Sequence, residues 1–217
     1  MTLIITLVGD LGGGKTSVAK ALGLVVKAAL PRAPVISNVE MGSGIMKVDD
    51  VHKWIAIKLL KKDKRYACVI DDEAAQAGLE SRGSGSKAAA VESRIITHAR
   101  KAHIDLILIS QLKSMLDKRV QWVEDFSILC EAIFDQGNVS ARPDFFQYTI
   151  YNKALEVIND FEIDTDDMEK YVWPGMDTDD IPFFESFKRQ FTSYWDIREE
   201  DMGNWEESMD MAMAKVP

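Results

Sequence analysis

The chain has 217 residues, with 26 Lys and Arg against 35 Asp and Glu and a net charge of −9. That length suits one α/β domain with a small appendage. Two cysteines and no apolar run approaching the ~18 residues of a membrane helix argue against a disulfide scaffold and a transmembrane protein.

The run LIITLV (3–8) is apolar and β-branched and predicts a buried parallel strand. It leads into GDLGGGKTS (9–17), where Gly9, Gly14, Lys15 and Thr16 fit G-x-x-x-x-G-K-[ST] and Gly12 and Gly13 fall inside. The following SVAKALGLVVKAAL has helical spacing and stops before Pro31. Strand, glycine-rich loop and helix form the context of a P-loop. Glycines let backbone N–H groups curl around phosphates, and the helix N-terminus adds a favourable dipole. Gly9, Gly12, Gly13, Gly14, Lys15, Thr16 and Ser17 are therefore expected to cradle ATP, with Lys15 on the β/γ-phosphates and Thr16 on Mg²⁺.

Residues 33–39 predict a second strand, 41–46 a loop, and 48–62 a helix opened by acidic residues and closed by the basic turn KKDKR. YACVI (66–70) predicts a buried strand, 81–87 a flexible Gly/Ser loop, 88–103 a helix and IDLILIS (104–110) another buried strand. Residues 113–123 are helical in part, 125–134 a strand and 135–144 a turn. FFQYTIYN (145–152) alternates and suggests an antiparallel strand at or beyond one edge. From 153 the chain is acidic and Trp-bearing, and short helices are expected, with a loose tail from about 203. Cys68 and Cys130 sit in apolar runs as small buried hydrophobes. The expected division is a core over 1–152 and an acidic extension over 153–217 packed on it. Alternating strands and helices predict a mostly parallel sheet covered on both faces.

The segment VIDDEA sorts the P-loop families. A carboxylate at a strand end can hold Mg²⁺, and the next residue can activate the attacking water. Asp72 is assigned to the metal and Glu73 to the base, with Asp71 as the alternative metal aspartate. IDLILIS then ends in Ser110-Gln111. In ATPases with a catalytic glutamate, the strand between the P-loop and acidic strands ends in a polar sensor, and Gln111 fits that role. Each signal has a bland reading, a strand-end acidic turn or a loop glutamine. Their order and spacing favour the set.

These motifs resemble the FtsK–HerA group of DNA-pumping ATPases, which are RecA-like P-loop NTPases. The residues that carry the resemblance are GDLGGGKTS, VIDDEA, ESR at 80–82, THARKAHIDLILISQ at 97–111 and LDKRV at 116–120, within roughly residues 1–135. Two viral branches are similar: the small packaging ATPases of membrane-containing icosahedral viruses, and the zonula-occludens-toxin-like assembly ATPases of filamentous phages. The latter carry a membrane helix after the ATPase domain. None is predicted here, which favours packaging over extrusion. The acidic extension has no counterpart in the family pattern.

The resemblance implies a ring, usually a hexamer, with active sites between subunits and an arginine supplied in trans. Arg119 and Arg94 rank first, ahead of Arg82 and Arg100; an arginine in each of these settings is more often a solvated helix arginine. The partner is DNA gripped through its phosphates without regard to sequence. Arg82 and Lys87 in the Gly/Ser loop are the candidate contacts, and Lys58, Lys61, Lys62, Lys64 and Arg65 supply a second basic run. That run is also what a helix C-terminus favours by its dipole. Charge is uneven, +7 over residues 1–120 and −16 over 121–217. A basic core facing nucleic acid and an acidic part facing solvent or protein fit that pattern. Trp173 and Trp195 are expected to cap the core. Trp205 leaves open docking on a capsid-vertex or membrane protein. The expected location is the host cytoplasm or the virion. A small-molecule P-loop kinase is disfavoured by the Asp-Glu pair, the Ser-Gln ending and the lack of a lid pattern. The intact Lys, Thr, Asp and Glu set disfavours a non-catalytic nucleotide-binding module.

Overall fold

The computed structural model describes residues 2–74, 87–134 and 142–176. β1 (Ile4–Val8), β2 (Val35–Ser37), β4 (Ala67–Asp71) and β5 (Ile104–Ser110) form the middle of the sheet, and β4 is buried at every residue. β3 (Met46–Lys47), β6 (Phe126–Ile133), β7 (Phe145–Asn152) and β8 (Val157–Asp164) complete eight strands in the order β3-β2-β4-β5-β1-β6-β7-β8. Pairing is parallel from β3 through β6 and antiparallel from β6 through β8.

Side-chain alternation sorts the core into two layers. On one face Ile4, Val69, Leu106 and Leu108 pack under Trp54 and Ile55 of α2 (Val51–Leu60) and Ile96 of α3 (Lys87–His98). Val120 of α4 (Lys118–Val123) joins this layer. On the other, Leu7, Ile70, Ile107 and Ile109 pack under Val18 and Ala19 of α1 (Lys15–Ala29). Two helices begin on aspartate caps. The Asp50 carboxylate accepts from Lys53 N–H at 2.8 Å, and Asp117 accepts from Arg119 N–H at 2.8 Å. Each cap satisfies a donor that the first helical turn leaves without an intrahelical partner.

The α/β class, the helix-covered parallel sheet and the antiparallel β7 match the sequence expectation. Residues 157–164 differ: where short helices are expected, β8 forms and becomes the outer strand. Most of its side chains are exposed, and only Phe161 and Ile163 pack on the core. An edge strand solvated over most of its length carries little of the alternation by which strands are recognised. The β7–β8 turn is held by Asn152, whose Oδ1 accepts from Ala154 N–H at 2.8 Å and Glu156 N–H at 3.0 Å. β3, two residues long, falls in the expected 41–46 loop and just past it.

After β8 the expected helical turns appear at Thr165–Asp167 and Met168–Val172. Residues 165–176 then run as a strap across the N-terminal part of α1. Met168 and Val172 are buried in the α1-side core. The Trp173 indole N–H donates to Ser17 Oγ at 2.8 Å. Lys20, with no exposed surface, donates to the Pro174 carbonyl at 2.7 Å. Trp173 therefore packs on the core as expected. Trp195, Trp205 and the tail from about 203 lie outside the described residues. Among the described residues no helix is long and apolar enough to cross a membrane.

Candidate active site

The P-loop leaves β1 at its C-terminal end and is fastened on both sides. Gly9 N–H donates to the Gln111 carbonyl at 3.2 Å, and Gly13 N–H to the Asp10 carbonyl at 3.1 Å. Gly9 has φ 147°, and a Cβ there would lie 2.1 Å from the Cys130 carbonyl oxygen on β6. Only glycine allows both that torsion and that approach. The Tyr148 hydroxyl on β7 donates to the Gly14 carbonyl at 3.3 Å. The Lys15 ammonium folds over the loop, donating to the Gly9 carbonyl at 2.8 Å and the Asp10 carbonyl at 2.7 Å. Those neutral carbonyls hold it where a phosphate chain would give it charged acceptors.

Thr16, in the first turn of α1, donates its hydroxyl to Asp72 Oδ2 at 2.7 Å. The other Asp72 oxygen accepts from Glu73 N–H at 2.9 Å. Asp71 faces away from Thr16: its carboxylate meets His52 Nε2 of α2 at 2.8 Å and Asn38 Nδ2 at 3.3 Å. Between the two aspartates, Asp72 is thus the one turned to the P-loop threonine. Asn38, just past β2, clamps the acidic turn from behind. Its amide donates to the Asp72 carbonyl at 2.8 Å and its Oδ1 accepts from Asp72 N–H at 2.8 Å. Burial pushes the Asp72 carboxyl up to about 6, against the opposing pull of the Thr16 hydroxyl and Glu73 N–H.

Glu73 holds φ 58°, a left-handed conformation costing about 1–3 kcal/mol for a non-glycine residue. Ala74 N–H pins the turn to the Ile109 carbonyl at 2.9 Å. β5 lies between β4 and β1, as the sensor-strand reading requires, so Gln111 emerges between the acidic turn and the P-loop. One cavity of about 420 Å³ is lined by Gly12, Gly13, Gly14, Lys15, Thr16, Ser17, Asp72, Glu73 and Gln111. Its size suits a nucleotide-sized ligand.

The donor set fits Mg²⁺. A hydroxyl and a carboxylate, hard oxygens already 2.7 Å apart, are what this ion takes alongside phosphate oxygens. Bound there with a nucleotide, it would neutralise charge on the β- and γ-phosphates.

The cavity also takes in residues that the motifs do not show: Val39, Phe146 on β7, and Trp173 and Met176 of the strap. Asn38 carried a usable signal, since a polar residue at the carboxyl end of a parallel strand points to a site. Trp173 carried none, because only the strap's path brings it to α1.

The candidate arginines differ in environment. Arg119 grips the buried Asp117 through Nε at 2.9 Å and Nη2 at 2.6 Å, within its own chain. Arg100 Nη2 donates to the Val123 carbonyl and to Asp125, both at 2.7 Å. Arg94 is exposed on α3. Arg82 lies outside the described residues, and Lys87 opens α3 rather than closing the preceding loop. The second basic run is largely engaged in its own chain. Lys58 is fully buried, 3.4 Å from Asp63, which also binds Arg65 at 2.9 Å; Lys64 donates to the Lys101 carbonyl at 2.6 Å. This run precedes β4, at the opposite end of the sheet from the P-loop.

No protein-family model and no curated protein sequence matches the chain. Solved structures do. The genome-packaging NTPase B204 from Sulfolobus turreted icosahedral virus 2, bound to AMPPCP, aligns with TM-score 0.50 and 19% identity over 72% of this chain and 95% of its own. B204, described as the DNA-packaging ATPase from Sulfolobus turreted icosahedral virus, aligns with TM-score 0.50 and 18% identity over 72% and 97%. The N-terminal domain of zonular occludens toxin from Neisseria meningitidis aligns with TM-score 0.48 and 14% identity over 79% and 99%. The chain thus shares the P-loop ATPase fold of B204.

Proposed function

We propose that the protein is an ATP hydrolase that moves DNA, most specifically a viral genome-packaging motor. The observation that carries the hydrolase reading is the convergence of Lys15, Thr16, Asp72, Glu73 and Gln111 on one cavity. Lys15 and the loop amides hold the phosphates. Thr16 and Asp72 would hold Mg²⁺. Glu73 takes a proton from the attacking water, and Gln111 orients that water or the γ-phosphate. Arg94 and Arg119 are the candidates to complete a neighbour's site in a ring; Arg119 would first have to leave Asp117. Arg82 and Lys87 are the proposed DNA contacts.

DNA movement is supported by the fold shared with B204 and by the family motifs, and the basic first half of the chain is consistent with it. The second reading, an assembly motor like the zonula-occludens-toxin group, rests on the same motifs. The test of the hydrolase reading is Glu73→Gln. ATP binding is expected within about threefold of wild type while turnover falls at least ~100-fold. Near-wild-type hydrolysis would remove Glu73 as the base.

A further inference from the structure

The cavity lining combines two chemistries: the loop amides, Lys15, Thr16, Asp72 and Glu73, and an aromatic and apolar group of Phe146, Trp173 and Met176. The successive amides of α1 run along a bound phosphate chain, so a nucleoside leaves the phosphate end beside Ser17. Trp173 is fixed at that point by its indole N–H bond to Ser17 Oγ, 2.8 Å long. Phe146 meets it edge-on, with ring centres 6.3 Å apart at 79°. The next residue, Pro174, is held by the buried Lys20 ammonium at 2.7 Å. The indole is therefore oriented before any ligand arrives, and a preoriented aromatic ring beside an emerging base offers a stacking surface.

We infer that Trp173 is the nucleobase platform of this site, stacking the base of a nucleoside triphosphate whose phosphates lie in the P-loop. The inference rests on the nucleotide-site reading above. It extends the site beyond the motif-bearing core to the strap at 165–176. Stacking on a flat indole favours a large purine over a pyrimidine and needs no hydrogen-bond match to the base edge.

The test compares binding of ATP and of inorganic tripolyphosphate, which has the phosphates and no base. Trp173→Leu is expected to weaken ATP binding roughly tenfold and leave tripolyphosphate within about twofold, with Trp173→Phe restoring most of the ATP affinity. Unchanged ATP affinity overturns the inference, and so does a parallel loss of both ligands, which marks a purely structural role. Wild-type protein that binds neither ligand overturns the nucleotide-site reading itself. Photolysis of 2-azido-ATP on wild-type protein gives an answer independent of variant folding. Labelling of the Trp173 or Phe146 peptide is expected, and labelling confined to other peptides contradicts the platform.

Discussion

Asp71 and Asp72 are neighbours with identical chemistry and different work. Asp71 is spent on His52 and Asn38 inside the fold, and Asp72 on Thr16 at the cavity. The motif spacing made Lys15, Thr16 and Glu73 legible, because the chemistry needs those types at those intervals. It assigned Asp72 to the metal but kept Asp71 as the alternative, since the contacts that separate them come from α2 and the end of β2, distant in sequence. Burial raises Asp72 to about 6, above its ordinary value of 3.8. The folded state then binds this proton more tightly than the unfolded state, so stability falls as pH rises through that window, and the full cost applies above about 6. Asp72→Asn is accordingly expected to stabilise the nucleotide-free protein at pH 7.5 by roughly 1–3 kcal/mol, with the gain vanishing near pH 4. Mg²⁺-dependent turnover should be lost in the same variant. Urea unfolding at both pH values checks this. An equal gain at both would assign the effect to something other than the buried charge.

At the scale of elements, strands buried on both faces announced themselves through β-branched runs, as in LIITLV and IDLILIS. β8 did not, because solvent covers most of it and residues such as Asp160 and Glu162 read as a polar tail. The strap's role was invisible for a related reason: its value lies in contacts with Ser17 and Lys20, more than 150 residues earlier. The P-loop, in contrast, is legible as a motif and also as a packed element. Gly9 and Gly12 both hold positive φ, but a Cβ at Gly9 meets the β6 backbone at 2.1 Å while one at Gly12 meets nothing within 4 Å. Backbone strain is common to both, and only Gly9→Ala adds a clash with a carbonyl that cannot rotate away. Gly9→Ala should therefore cost about 1–3 kcal/mol more stability than Gly12→Ala. Equal unfolding midpoints with equal denaturant slopes would contradict the packing of the loop against β6.

At the scale of the whole molecule, the nucleotide site opens at the carboxyl ends of β1, β4 and β5, where an open parallel sheet binds its ligands. The basic run before β4 lies at the far end and is largely engaged in its own chain, which weakens it as a candidate for DNA contact. The proposed motor would work with neighbouring subunits. An exposed arginine such as Arg94 offers a site in trans the charge that phosphoryl transfer uses. The most direct measurement is steady-state ATP hydrolysis across protein concentration, alone and with single- or double-stranded DNA, with Lys15→Ala as the blank. The account predicts that duplex DNA stimulates turnover and that activity per subunit rises steeply as the protein assembles. Activity per subunit that ignores both concentration and DNA, with phosphate appearing on a small acceptor, would contradict it.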